Sequence, residues 1–93
     1  MGKPRVEVEY CVRCGFMLRA AWVAQELLKS FEDELGEVAL KPGGGGIFAV
    51  RLGETLLFSN QAEGRFPEMR ELRQRLAQAL GSDRHFGHQP RED

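Results

Sequence analysis

Across residues 5–18 the hydrophobic period changes from two to about 3.6, and the change falls on two cysteines in the motif Cys11-Val-Arg-Cys14. Before the motif, Val6, Val8 and Tyr10 alternate with Arg5, Glu7 and Glu9, the pattern of a strand with one packed and one wet face. A parallel strand covered on both faces would not alternate so cleanly, so helices are expected on a single side of the sheet. After the motif the spacing is helical. A strand, a turn and a helix start together hold a reactive group in place while leaving it open to solvent, and the pair reads as a redox dithiol.

The remaining chain supplies the partners of this strand. In residues 16–35 the stripe Ala20, Val23, Ala24, Leu27, Leu28, Phe31 and Leu35 predicts one long helix ending near Gly36, with Arg19, Glu26, Lys29 and Asp33 off the stripe. Residues 37–41 form a short strand closed by Pro42 and the run Gly43-Gly44-Gly45-Gly46. Residues 47–52 and 55–59 read as two strands joined by a tight Gly53-Glu54 turn, and residues 60–65 as polar loop. Phe66-Pro67-Glu68 opens a second helix with proline at the first helical position, and Glu68 and Glu71 stand near the positive end of its dipole. Met69, Leu72, Leu76 and Leu80 form its buried stripe with Ala79 beside it, and Gly81 stops it. The tail, residues 82–93, has little apolar material and is expected to be flexible.

The expected architecture is α/β in two layers, of order β-α-β-β-β-α, with a mixed four-stranded sheet and both helices on one face. A right-handed parallel β-α-β unit extended by an antiparallel hairpin accounts for that order, and it matches thioredoxin-like domains. One domain over residues 1–81 is expected. A chain of 93 residues has room for one core and not two.

Charge and cysteine count narrow the function. The 13 basic and 14 acidic residues give a net charge of −1 without a long block of either sign, which argues against nucleic-acid or membrane partners chosen by charge. No stretch approaches the ~18 apolar residues of a membrane span, and the amino terminus has no signal-like apolar region. Val6 stands where myristoylation at Gly2 would require serine or threonine. Two cysteines are too few for a secreted disulfide framework, and a bridge closing so short a loop restrains little chain entropy. Reactivity in a reducing, cytoplasmic setting is the expectation.

Thiolate, not thiol, attacks a disulfide, and an unperturbed thiol with a pKa near ~8.5 is mostly protonated at neutral pH. The amino-terminal end of the following helix, Arg13 and Arg19 are candidates for lowering that pKa. If the helix begins just after Cys11, Cys11 is the natural attacker; if Gly15 belongs to a turn and the helix starts later, Cys14 lies nearer the dipole. Phe16 and Trp22 read as packing residues partly exposed near the dithiol, or as a surface for partner or substrate approach, with Gly15 a candidate for the same approach. Gly43, Gly44, Gly45 and Gly46 lack the lysine and serine or threonine of a phosphate loop. They read either as a flexible connector between strands or as a loop that approaches the dithiol on the carboxyl side of the sheet and lets a bulky thiol partner reach main chain. A zinc site from Cys11, Cys14, His85 and His88 is disfavoured by the roughly seventy residues between its halves. No metal and no tightly bound cofactor is expected.

Four segments carry a family resemblance: Val8-Glu-Tyr-Cys11-Val-Arg-Cys14, the helix through Arg19-Ala-Ala-Trp22 and Gln25-Glu-Leu-Leu28, Gly46-Ile-Phe48-Ala-Val50, and Gly64-Arg-Phe-Pro67-Glu68. Together they resemble the selenoprotein W family, within the thioredoxin-like Rdx proteins that include the selenoprotein T and H types, in its bacterial all-cysteine branch. The resemblance implies a thioredoxin-like fold and thiol-based redox chemistry, with glutathione or protein thiols as partners. In selenocysteine-containing relatives the selenium occupies the position of Cys14, which tilts the attacking role toward Cys14. The tetraglycine departs from relatives that carry threonine or another small residue before the glycine.

The resulting expectation is a small thiol-disulfide oxidoreductase or redox sensor. The alternative is a binding module, gated by the cysteines or independent of them, without turnover. Self-association through the wet sheet face or the hairpin edge is left open by the sequence.

Overall fold

The computed structural model describes residues 2–81. Strand β1 (Arg5–Cys11) is an inner strand of the sheet and its alternation separates the two faces: Val6, Val8 and Tyr10 are buried, while Glu7 and Glu9 lie on the opposite face. β1 pairs in parallel with β2 (Glu37–Gly43) and antiparallel with β3 (Phe48–Leu52), and β3 pairs antiparallel with β4 (Thr55–Ser59). The sheet order is β2-β1-β3-β4. Helices α1 (Met17–Ser30) and α3 (Met69–Leu80) pack on the face of Val6, Val8, Phe48 and Val50, as the alternation of β1 requires. A four-residue helix α2 (Asn60–Glu63) stands between β4 and α3.

The core joins Val6, Val8, Phe48, Val50 and Phe58 of the sheet to Ala20, Val23 and Leu27 of α1 and to Leu72, Leu76 and Ala77 of α3. Each large side chain removed completely from water contributes about 1.5–3 kcal/mol, and Leu27, Phe31, Phe48, Phe58, Leu72 and Leu76 are all in that state. The opposite face is held by ion pairs. Arg5 bonds to Glu7 and Glu37, Lys41 approaches Glu7, and Arg51 reaches Glu9 at 3.0 Å.

Several boundaries differ from the sequence reading, each for a local reason. The first helix ends at Ser30 and not near Gly36. The Phe31 N–H still bonds to Leu27 O at 3.0 Å, and Leu35 N–H and Glu34 N–H return to Phe31 O in a turn. Phe31 and Leu35 are therefore buried from a turn, which extends the helical period beyond the helix, whereas Leu28 is exposed. Gly36 does not cap the helix; it donates to Pro4 O at 2.8 Å, and a Cβ there would stand 2.8 Å from Lys3 O.

β2 runs through Pro42 to Gly43. It is an edge strand, and a proline without an N–H is tolerated where only one neighbour needs the ladder. The Lys41-Pro42 bond is trans. Between β3 and β4 the register shifts at Val50/Arg51, so Leu57 is an extra residue and both Leu57 and Phe58 enter the core. The first four residues after β4 are helical and not loop, with Ser59 accepting from Ala62 N–H at 3.4 Å. Pro67 stays outside α3, whose N-cap is Glu68 in a reciprocal capping box with Glu71. Ala77, not Ala79, completes its buried stripe, and Gly81 ends it as expected. The proposed tail, residues 82–93, with His85 and His88, lies outside the described residues.

Candidate active site

Cys11 is the last residue of β1 and inherits the fixed backbone of a central strand. Its N–H donates to Ile47 O at 2.8 Å, and the next N–H, of Val12, donates to Gly43 O at 3.1 Å. The chain then reverses: Gly15 N–H bonds to Val12 O at 3.0 Å and Phe16 N–H to Cys11 O at 3.3 Å. Gly15 takes φ +74°, a left-handed conformation that L side chains rarely adopt, which explains a glycine directly after the second cysteine. α1 begins only after this turn, with Phe16 as its N-cap.

Both sulfurs thus precede the helix, and the later-start alternative holds, with Cys14 nearer the positive end. The N-cap makes no side-chain bond and the first turn has no acidic residue, so nothing on α1 itself neutralises that end. Cys11 and Cys14 form a disulfide with their Cα atoms 5.3 Å apart. The two members differ sharply in access. Cys11 is 2% exposed whereas Cys14 is exposed with its neighbours Val12, Arg13 and Gly15. The Cys14 N–H also points at Cys11 Sγ, at 3.3 Å.

Arg13 stands in the exposed turn between the cysteines. Arg19 is committed elsewhere than to a sulfur contact: its guanidinium lies 3.9 Å over the Phe66 ring. Phe66 makes edge contacts with Phe16 and Phe48 at centroid separations of 5.0 and 5.4 Å, so three rings underlie the start of α1. Phe16 is half-buried in that cluster, while Trp22, six residues further along, is 51% exposed. With Val12, Met17 and Leu18 it gives this region four exposed large apolar side chains.

The glycine run is only partly at the dithiol. Gly43 pairs with Cys11 across the parallel ladder and bonds to Val12. Gly44, Gly45 and Gly46 form the turn that leads to Ile47, whose N–H donates to Gly44 O at 3.3 Å. Asn60 and Gln61 hold this turn from the far side, Asn60 Nδ2 donating to Gly46 O at 2.7 Å and Gln61 Nε2 to Gly45 O at 3.3 Å. Ile47, Asn60 and Phe66 belong to the surroundings of the site and were not singled out for it by the sequence. Periodicity carries no sign of a backbone acceptor or of a side chain that bonds to main chain.

Among the described residues no group of three or more histidine, cysteine, aspartate or glutamate side chains is placed to hold a metal. No described helix is long and apolar enough to cross a membrane.

Residues 5–78 match the model of the Rdx family. A crystal structure of a protein from Bordetella parapertussis is 45% identical over 84% of this chain and 99% of its own, with a TM-score of 0.81. A crystal structure of a selenoprotein W-related protein from Vibrio cholerae is 39% identical over 85% of this chain and 99% of its own, also with a TM-score of 0.81. No curated protein matches the chain significantly.

Proposed function

The chain belongs to the Rdx family, and from that premise we propose that it is a thiol-disulfide exchange protein in which Cys14 attacks and Cys11 resolves. The observation that carries this reading is the difference in access between the two members of one bridge, Cys11 sealed under the sheet end and Cys14 open.

In the reduced protein the Cys14 thiolate attacks one sulfur of a partner disulfide. The partner S–S bond breaks, a Cys14-partner mixed disulfide forms, and the released partner thiolate takes up a proton. The Cys11 thiolate then attacks Cys14 Sγ, displacing the second partner thiolate and leaving Cys11–Cys14 oxidised. Two electrons pass to the partner. The Cys14 N–H beside Cys11 Sγ would stabilise sulfur charge on the resolving residue, which otherwise bears the cost of burial.

Glutathione or a protein disulfide is the proposed partner, in a reducing compartment such as the cytoplasm. Arg13 lies between the cysteines in the exposed turn, residues 10–25 contain no aspartate or glutamate, and Val12, Met17, Leu18 and Trp22 are exposed. This surface suits a substrate that brings a carboxylate or an apolar segment beside its disulfide. The test is a redox titration with an exchange assay. A reversible two-electron transition and exchange faster than a free thiol support the reading; two thiols titrating near ~8.5 and no such acceleration refute it.

The same exposure favours a second reading, a binding module in which the cysteines gate contact without turnover. Leu18 and Trp22 lie one helical turn apart and extend the apolar surface beyond the dithiol. Retention of the same partners by a Cys11→Ser, Cys14→Ser protein would select it.

A further inference from the structure

The backbone acceptor that holds Cys11 is itself held by one side chain. Ile47 O receives the Cys11 N–H at 2.8 Å, and Ile47 is flanked by two bonds from Asn60. Asn60 Nδ2 donates to Gly46 O at 2.7 Å, and Asn60 Oδ1 accepts from Phe48 N–H at 2.8 Å. A carbonyl only accepts and a backbone N–H only donates, so the amide has a single orientation that satisfies both. The clamp fixes the two peptide units on either side of Ile47, in a segment whose preceding residues are four glycines with little conformational restraint of their own.

We propose that Asn60 is a positioning residue for the dithiol. By fixing Ile47 O it fixes the Cys11 backbone, and so sets how readily Cys11 and Cys14 close into a disulfide. Closing the bridge brings two sulfurs together within one turn. The more the reduced turn is already restricted, the less entropy that step removes, and the more stable the disulfide is relative to the dithiol. Asn60 acts through main chain at a distance from both sulfurs, and a thiol-lowering charge plays no part.

The inference rests on the exchange reading given above for the cysteine pair. The relevant equilibrium is protein disulfide plus two glutathione thiols giving protein dithiol plus glutathione disulfide. One S–S bond breaks and one forms, and the two glutathione thiol protons end on Cys11 and Cys14.

The test is this equilibrium, measured in glutathione buffers for the full chain and for Asn60→Ala, Asn60→Asp and Arg73→Ala. Asn60→Ala deletes both bonds. Asn60→Asp retains an acceptor for Phe48 N–H and sets a carboxylate oxygen against Gly46 O, and it carries the test if the alanine variant fails to fold. Arg73 bonds to Ser30 and Glu26 between the helices, so its removal perturbs stability remotely from the glycine turn.

Both Asn60 variants are expected to weaken the disulfide about three- to tenfold, a shift of roughly 15–30 mV toward a more oxidising potential, while Arg73→Ala leaves it unchanged. Wild-type potentials in both Asn60 variants, or an equal shift in Arg73→Ala, would overturn the positioning role while leaving the exchange reading intact. Absence of any reversible transition in the wild-type chain would overturn both.

Discussion

The guanidinium of Arg19 lies 3.9 Å over the ring of Phe66, joining the first turns of α1 to the segment that leads into α3. Phe66 in turn touches Phe16 and Phe48, so the turn carrying the dithiol rests on residues from three separate parts of the chain. Arg19, one of the sequence's candidates for lowering a thiol pKa, stacks here on an aromatic ring.

Phe66→Leu keeps apolar volume but removes the ring face under Arg19 and two edge contacts. A loss of about 1–2 kcal/mol is expected, since such aromatic and cation-π contacts contribute about 0.5–1.5 kcal/mol each and leucine recovers part of the burial. Denaturant unfolding of the variant measures it. A midpoint equal to the wild type would show that the cluster contributes only buried area.

Gly15→Ala places a side chain at φ +74° between Cys14 and the helix. No neighbouring atom lies within 4 Å of the added Cβ, so the cost is conformational, about 1–2 kcal/mol. A lower melting temperature with unchanged secondary structure is the expected result. An unaltered melting temperature would mean that the turn has another conformation available.

The place of this glycine next to the dithiol was legible, but its φ was not. What the sequence carried well were features written in period and punctuation: the alternation of Val6, Val8 and Tyr10, the Gly53-Glu54 hairpin, and the stop at Gly81. Less legible was whatever depends on a long-range partner. Phe31 and Leu35 keep helical spacing while sitting in a turn, because burial and not helicity sets that spacing. Pro42 reads as a strand end until β2 is known to be an edge. Leu57 enters the core through a bulge that alternation cannot anticipate. Asn60 reads as a loop residue because its role lies in bonds to residues 46 and 48.

Glu71 supplies a pH dependence. The Arg65 guanidinium hydrogen-bonded to it holds its carboxyl down at about 2, against an ordinary value of 4.5, with Arg75 adding to the effect. A depressed folded-state pKa contributes stability that is fully present above about 4.5 and is lost as pH falls through about 2. Glu63, also paired with Arg75, is shifted in the same direction. Glu71→Gln retains a side chain suited to the capping box but removes the charge, and is expected to cost about 1 kcal/mol at neutral pH after allowance for solvent screening. The difference should vanish near pH 2. Thermal melts of both proteins across that range check it, and a difference that persists at the acid end would assign the loss to packing.

The central claim is that the exposed cysteine attacks and the buried one resolves, and trapping with single-cysteine variants tests it most directly. Reduced Cys11→Ser and Cys14→Ser proteins are each mixed with glutathione disulfide and with cell extract, and mixed disulfides are resolved by mass spectrometry. The account predicts that Cys11→Ser accumulates a stable adduct on Cys14 at a rate above that of a free thiol, while Cys14→Ser forms little. Faster adduct formation on Cys11 in the Cys14→Ser protein would contradict it.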